Sequence, residues 1–207
     1  MPAKYQINPN FRLNTPHLGL RWRLLSRQEI EAQAANEQSG TRIFKFRKRV
    51  QIIVLHKGSP TNTLIDILYH PDTDFDARGI QKWLREIFRD TIHELANRLL
   101  PERVKHWETA TDMHGNGVKV ERLKRNILAC CSQSNVISLQ PFLVLFKQEW
   151  TDEIILHEIA HYRFKNHRKE FWKFLSTLLG HDARKAKTRK DIEMSPYYEY
   201  CLYLTKP

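Results

Sequence analysis

His157-Glu158-Ile159-Ala160-His161 places the residue types used by metal-assisted hydrolysis at the spacing that chemistry needs. The pentapeptide lies within an apolar run of Ile154, Ile155, Leu156, Ile159 and Ala160, which predicts a helix beginning between Glu149 and Asp152. Residues four apart on a helix share a face with Cβ atoms about 6 Å apart, so both imidazoles reach one metal ion at about 2.0–2.1 Å. Glu158 lies about 100° around the helix from His157, where its carboxylate meets a metal-bound water without becoming a ligand. Zinc lowers the pKa of such a water, the carboxylate takes its proton during attack on a carbonyl, and the acid so formed returns it to the leaving amine. An apolar helix that buries two His and a Glu needs something to offset their desolvation, and a metal ion supplies it.

Catalytic zinc commonly uses three protein ligands and keeps one position for water, which leaves this pair one ligand short. His167 is the first candidate: it follows His161 by six residues and stands directly after Asn166, where one helix ends and the next begins. Glu170 and His181 are the alternatives, and a carboxylate there would reduce the net charge of the site. His93-Glu94-Leu95-Ala96-Asn97 begins in the same way, but Asn97 replaces the second His on a solvated helix face, so it reads as ordinary surface.

The string His157-Glu158-x-x-His161, five intervening residues, His167 and then Phe171-Trp172 resembles the YgjP-like metallopeptidases. The resemblance covers roughly residues 76–182 and takes in Trp83 and Leu84, Val118 to Leu123, and Cys131-Ser132 leading to Asn135-Val136-Ile137-Ser138-Leu139. It implies an α+β, zincin-like fold in which a small mixed or antiparallel sheet packs on helices that include the active-site helix. It also implies zinc held by His157, His161 and His167, Glu158 as general base, and a peptide or protein substrate. Ile127-Leu128-Ala129-Cys130-Cys131 departs from the family's usual Arg-Trp-Gly-Ser-Cys and agrees only in its last residue. By likeness to zincins, this strand would pair with an extended substrate backbone, and Cys131 reads as a packed thiol.

The elements that must position these groups are legible from periodicity. Ile80, Trp83, Leu84, Ile87, Phe88, Ile92, Leu95, Leu99 and Leu100 recur at helical spacing after the N-capping candidates Asp72, Asp74 and Asp76, and Pro101 is the expected stop. Val118 to Leu123, Ile127 to Cys131 and Val136 to Leu139 read as the strands of a small sheet. A helix carrying Phe171, Trp172, Phe174, Leu175, Leu178 and Leu179 follows Asn166 and stops at Gly180. Further upstream, Arg42 to Leu55 and Thr63 to Tyr69 read as a β-hairpin with one basic face, joined through Gly58-Ser59-Pro60. Three segments result: an N-terminal arm over 1–40, whose one clear element is a short helix from Ser26 to about Gln38; the hairpin and zincin domain over 41–182; and a basic, then aromatic, tail over 183–207.

The 207 residues are 41% hydrophobic, enough for a real core, and carry 34 Lys and Arg against 23 Asp and Glu, a net charge of +11 that attracts anionic partners. Arg42, Lys45, Arg47, Lys48 and Arg49 form one basic run and Arg184, Lys185, Lys187, Arg189 and Lys190 another, so nucleic acid is a possible partner through the basic surface. The alternative function is accordingly a nucleic-acid-associated, SprT-like protease or binding protein with a vestigial or structural zinc centre. Tyr197, Tyr198, Tyr200 and Tyr203 are expected to dock the tail onto the core. With no apolar run of membrane-spanning length and no signal-peptide core, the chain reads as cytoplasmic. Cys130, Cys131 and Cys201 form no C-x-x-C pair and read as reduced, buried thiols.

Overall fold

The computed structural model describes residues 5–36, 40–59 and 61–205, so Gln38 and Pro60 of the expected helix end and turn lie outside the described residues. Contacts divide these into two compact units, residues 5–89 and 90–205, each an α+β assembly around one small mixed sheet.

The first unit holds β1 (Leu18–Leu24), α1 (Arg27–Ala35), β2 (Arg42–Phe46), β3 (Arg49–Ser59), β4 (Asn62–Tyr69) and the opening turns of α2 (Arg78–Thr111). Its strand order is β1-β4-β3-β2, with β1 parallel to β4 and the other pairs antiparallel. The alternation of Leu18, Leu20, Trp22 and Leu24 with Arg21 and Arg23 is the period-two pattern of a strand, here inside the segment from which the sequence yields only a helix. Ser26 and Glu29 form a reciprocal capping box that starts α1. The strand expected over Arg42 to Leu55 is broken in two, because Arg47 and Lys48 both adopt positive φ (47° and 66°) and Phe46 pairs back with Arg49. The expected hairpin is therefore a three-stranded meander, and its first turn escapes pattern reading because it lacks the Asn or Gly usual at such positions.

Asp66 is wholly buried in the middle of β4, where Arg21 (2.7 Å), Arg23 (2.9 Å) and Lys57 (3.3 Å) surround it. Burial by itself would raise its pKa, but the hydrogen bonds and charge of these cations outweigh it and hold the carboxyl at about 2. A carboxyl depressed in the folded state stabilises the fold above its unfolded pKa of about 3.9, and that contribution is lost as pH falls through the folded value. Asp66→Asn is expected to cost about 2 kcal/mol at pH 7, because it strands half-exposed cations around a buried neutral group. Its stability should also fall less steeply than the wild type's between pH 4 and pH 2, as measured by urea unfolding at each pH.

The second unit comprises the rest of α2, β5 (Gly117–Val120), β6 (Ala129–Cys131), β7 (Val136–Leu139), a 3-10 turn (Pro141–Leu145), α3 (Gln148–Arg163), α4 (Lys169–Leu179) and α5 (Ala183–Thr205). The strands lie in the order β5-β7-β6, with β5 parallel and β6 antiparallel to β7. Contrary to the expected stop, α2 runs through Pro101 to Thr111. The hydrogen bond lost at proline is offset beyond it by burial of Val104, by Trp107 packed against the core and by the bidentate Arg103–Asp152 pair at 2.5 Å. Residues 183–205, read as a tail, form a helix that buries Ala183, Ala186, Met194, Cys201 and Leu204. Tyr198 meets Phe142 edge-on at 5.7 Å and accepts a hydrogen bond from the Asn126 N–H, while Tyr197 lies against Trp150. Of the three cysteines, Cys201 is buried but Cys130 is exposed and Cys131 half-buried, a departure from the expectation that edge strand β6 explains. Among the described residues, no helix is long and apolar enough to cross a membrane.

Candidate active site

Helix α3 buries Trp150, Ile154, Ile155, Leu156, Ile159 and Ala160, and that apolar face fixes its rotation. Leu156 and Ala160 join Phe171, Leu175 and Ala183 in one core cluster, which ties α3 to α4 and α5 beside the motif. The helix ends where the Phe164 N–H bonds to the Ala160 carbonyl, and the Asn166 side chain then accepts the Arg168 N–H at 3.2 Å. This short turn folds His167 back toward the helix. Trp172 holds it there by donating its indole N–H to the His167 carbonyl at 3.0 Å, and α4 runs on to Gly180, whose positive φ of 73° ends it where the sequence predicts.

The result is a convergence of three imidazoles. His167 Nε2 lies 2.8 Å from His157 Nε2 and 3.1 Å from His161 Nε2. Ligands about 2.0–2.1 Å from a tetrahedral ion are about 3.4 Å apart, so small adjustments admit a metal. His161 Nδ1 lies 2.8 Å from the Phe164 carbonyl, and donation of its proton there leaves the Nε2 lone pair facing the other two rings. Burial, then the neighbouring imidazoles and lysines, push the His157 pKa down to about 3; burial leads the lowering at His161 and His167 as well. Neutral imidazoles are the form that binds metal. The donor set, the His161 tautomer and the lowered pKa values therefore fit a divalent ion, and among the described residues this is the group of His, Cys, Asp and Glu side chains able to hold one. Neither alternative joins it: Glu170 is exposed on the first turn of α4, and His181 faces Glu153 at 3.9 Å.

Beneath the three rings lies Phe171, fully buried, with its centroid 4.5 Å from His161, 4.7 Å from His167 and 4.9 Å from His157. Its spacing from His167 was visible in the sequence, but its role as a common floor was not. Glu158 is buried beside the triad, and burial pushes its carboxyl up to about 7, with the Cys131 backbone N–H and the Lys190 charge pulling the other way. Lys190 is itself buried and pairs with Glu153 at 3.6 Å. Neither that pair nor the contact from Cys131 could be read from spacing, because both join segments distant in sequence.

An open cleft of about 720 Å³ leads to the triad, lined by His157, Glu158, His167, Trp172, Ala129 and Lys187 among others. Along one side runs β6, whose Leu128 carbonyl and Ser132 N–H are engaged by Gln140 and Val136, so the backbone groups of Ala129 and Cys131 point away from β7. Glu108 accepts both the Gly115 N–H (2.9 Å) and the Tyr162 hydroxyl (2.6 Å), fastening the end of α2 to α3. A Cβ at Gly115 would lie 2.2 Å from that hydroxyl and 2.6 Å from the Asn135 carbonyl, so only glycine fits. The second motif-like segment gathers no such group: Glu94 and Asn97 are exposed on α2.

A family model described as the YgjP-like metallopeptidase domain matches residues 20–190. Among solved structures, the metallopeptidase zymogen abylysin of Pyrococcus abyssi is similar at 20% identity and a TM-score of 0.40, over 45% of this chain and 93% of that one. The zymogen jannalysin of Methanocaldococcus jannaschii is similar at 23% identity and a TM-score of 0.33, over 37% of this chain and 77% of that one. No protein of curated function matches the sequence.

Proposed function

The chain belongs to the YgjP-like metallopeptidase family, and on that premise we propose that it hydrolyses peptide bonds with zinc held by His157, His161 and His167 and with Glu158 as general base. The observation that carries this reading is the approach of the His157 and His161 Nε2 atoms to within 3.1 Å of His167 Nε2, next to a buried carboxyl. Zinc bound there supplies Lewis acidity, acidifying a water and polarising the scissile carbonyl.

The chain's own residues do the rest. Phe171 and the Trp172 hydrogen bond hold the imidazoles in place before substrate arrives, so little reorganisation is needed during reaction. Glu158 takes the proton of the attacking water on a carboxylate oxygen. Burial, opposed by the Cys131 N–H and the Lys190 charge, raises its pKa to about 7, and a cation in the adjacent triad would favour the ionised form, so the carboxylate is available near neutrality while still able to return the proton to the leaving amine. The Cys131 N–H steadies that carboxylate, and the outward-facing backbone of Ala129 offers the substrate an edge on which to lie extended.

Prolonged treatment with a strong chelator should abolish cleavage of an unfolded protein substrate, and stoichiometric zinc should restore it. Cleavage undiminished in protein shown by elemental analysis to be metal-free would exclude a metal-dependent mechanism.

A further inference from the structure

The two basic runs of the sequence have different fates. In α5, Lys187 pairs with Asp191, Arg189 and Lys190 lie 3.5 and 3.6 Å from Glu153, and the Arg184 guanidinium sits over the Trp172 ring, so most of that run is used inside the second unit. The residues of the β2–β3 turn, Lys45 to Arg49, are not. Every residue from Lys45 to Arg49 is exposed, and among the described residues no carboxylate pairs with Lys45, Arg47, Lys48 or Arg49.

In the middle of this run stands Phe46, 57% exposed, with the Arg47 guanidinium 5.3 Å from its ring centroid. Its neighbour on the same strand face, Phe44, is anchored against Trp83 at 5.4 Å, so the outer ring projects from a fixed base. The turn takes a form that favours Asn-Gly, yet it places Arg47 and Lys48 in the left-handed region. Below it lies a groove of about 710 Å³ lined by Phe44, Phe46, Arg47 and Arg49 of the hairpin and by Arg27, Asp72 and Asp74, where Arg27 pairs with Asp72 at 3.8 Å. A cationic edge and an aromatic face that attracts planar rings together complement one ligand chemistry: phosphates joined to unpaired bases.

We propose that the β2–β3 hairpin tip binds single-stranded nucleic acid, with Phe46 stacking on a base while Lys45, Arg47, Lys48 and Arg49 engage the backbone phosphates. A duplex hides its base faces from Phe46 and offers only its charge. This surface belongs to the first unit and does not depend on the hydrolytic reading of the second.

The test is fluorescence anisotropy of the full-length chain with labelled twelve-nucleotide single strands of DNA and of RNA, a duplex of the same sequence, and oligoglutamate as competitor. Four phosphate contacts on a single strand give a log–log salt slope of about −2.8, so affinity should fall about fiftyfold between 50 and 200 mM salt. Phe46→Ala should weaken binding about tenfold and leave that slope unchanged. The pair Arg47→Asn and Lys48→Gly suits the turn's backbone, so folding is not at risk, and it should halve the slope. Arg98→Ala with Lys105→Ala, two exposed positions on α2, should change affinity less than twofold. Binding of either single strand with this pattern supports the proposal, and the tighter of the two identifies the sugar. It is overturned if there is no binding at 50 mM salt, if duplex binds equally well, if oligoglutamate competes as effectively as the oligonucleotide, if Phe46→Ala has no effect, or if the α2 pair loses as much as the turn pair.

Discussion

Glu158→Gln should retain stoichiometric zinc and lose about a thousandfold in kcat/KM for peptide cleavage, which corresponds to about 4 kcal/mol of transition-state stabilisation. The amide has the shape of the carboxylate and its oxygen can still accept from the Cys131 N–H, so the local packing has no reason to change. What disappears is the ability to take a proton from water and hand it to the leaving amine. Because Glu158 is buried, replacing an ionisable carboxyl by a neutral amide also removes a desolvation cost, and the variant should melt no lower than the wild type. A loss of activity with unchanged metal content and unchanged melting separates a chemical role from a structural one. Equal activity in the two proteins would remove Glu158 as the base.

The second large effect is on metal binding. In the proposed site His167 supplies one of three nitrogens, and it sits exposed on the turn between α3 and α4, so His167→Ala should leave the metal-free fold intact. Partners one shell beyond a metal are already worth about 10–100-fold in affinity, and loss of a direct ligand should cost at least a hundredfold. At a free zinc concentration of about 100 times the wild-type Kd, the metal stabilises the wild type by about 2.7 kcal/mol, and a hundredfold weaker variant by about 0.4 kcal/mol. Thermal melting with and without zinc reads this difference directly. An undiminished zinc-dependent rise in Tm for the variant would show that the ion binds elsewhere.

What the sequence made legible follows the range of the interactions involved. His157, Glu158 and His161 lie within five residues on one helix, so local geometry alone puts them on one face. His167 needed only a short turn, and Asn166 supplies it. Patterns of period two and 3.6 located the cores of β5, β6, β7, α3 and α4, and Gly180 ended α4 as read. Contacts remote in sequence were invisible: β1 inserted parallel to β4 to surround Asp66, the Cys131 N–H against Glu158, and Lys190 brought from α5 to Glu153. Pro101 misled because proline's local cost was set against tertiary packing that composition does not reveal. Arg47-Lys48 misled in the opposite way, since cationic residues in a strand-like run conceal a turn that only their backbone angles disclose.

Zinc-edge X-ray absorption of the purified, zinc-loaded protein examines the central arrangement most directly. A four-coordinate shell of three imidazole nitrogens and one oxygen, all at about 2.0–2.1 Å, is predicted. A sulfur shell at about 2.3 Å, which would bring Cys130 or Cys131 into the coordination sphere, or a shell with fewer than three imidazoles, would contradict it.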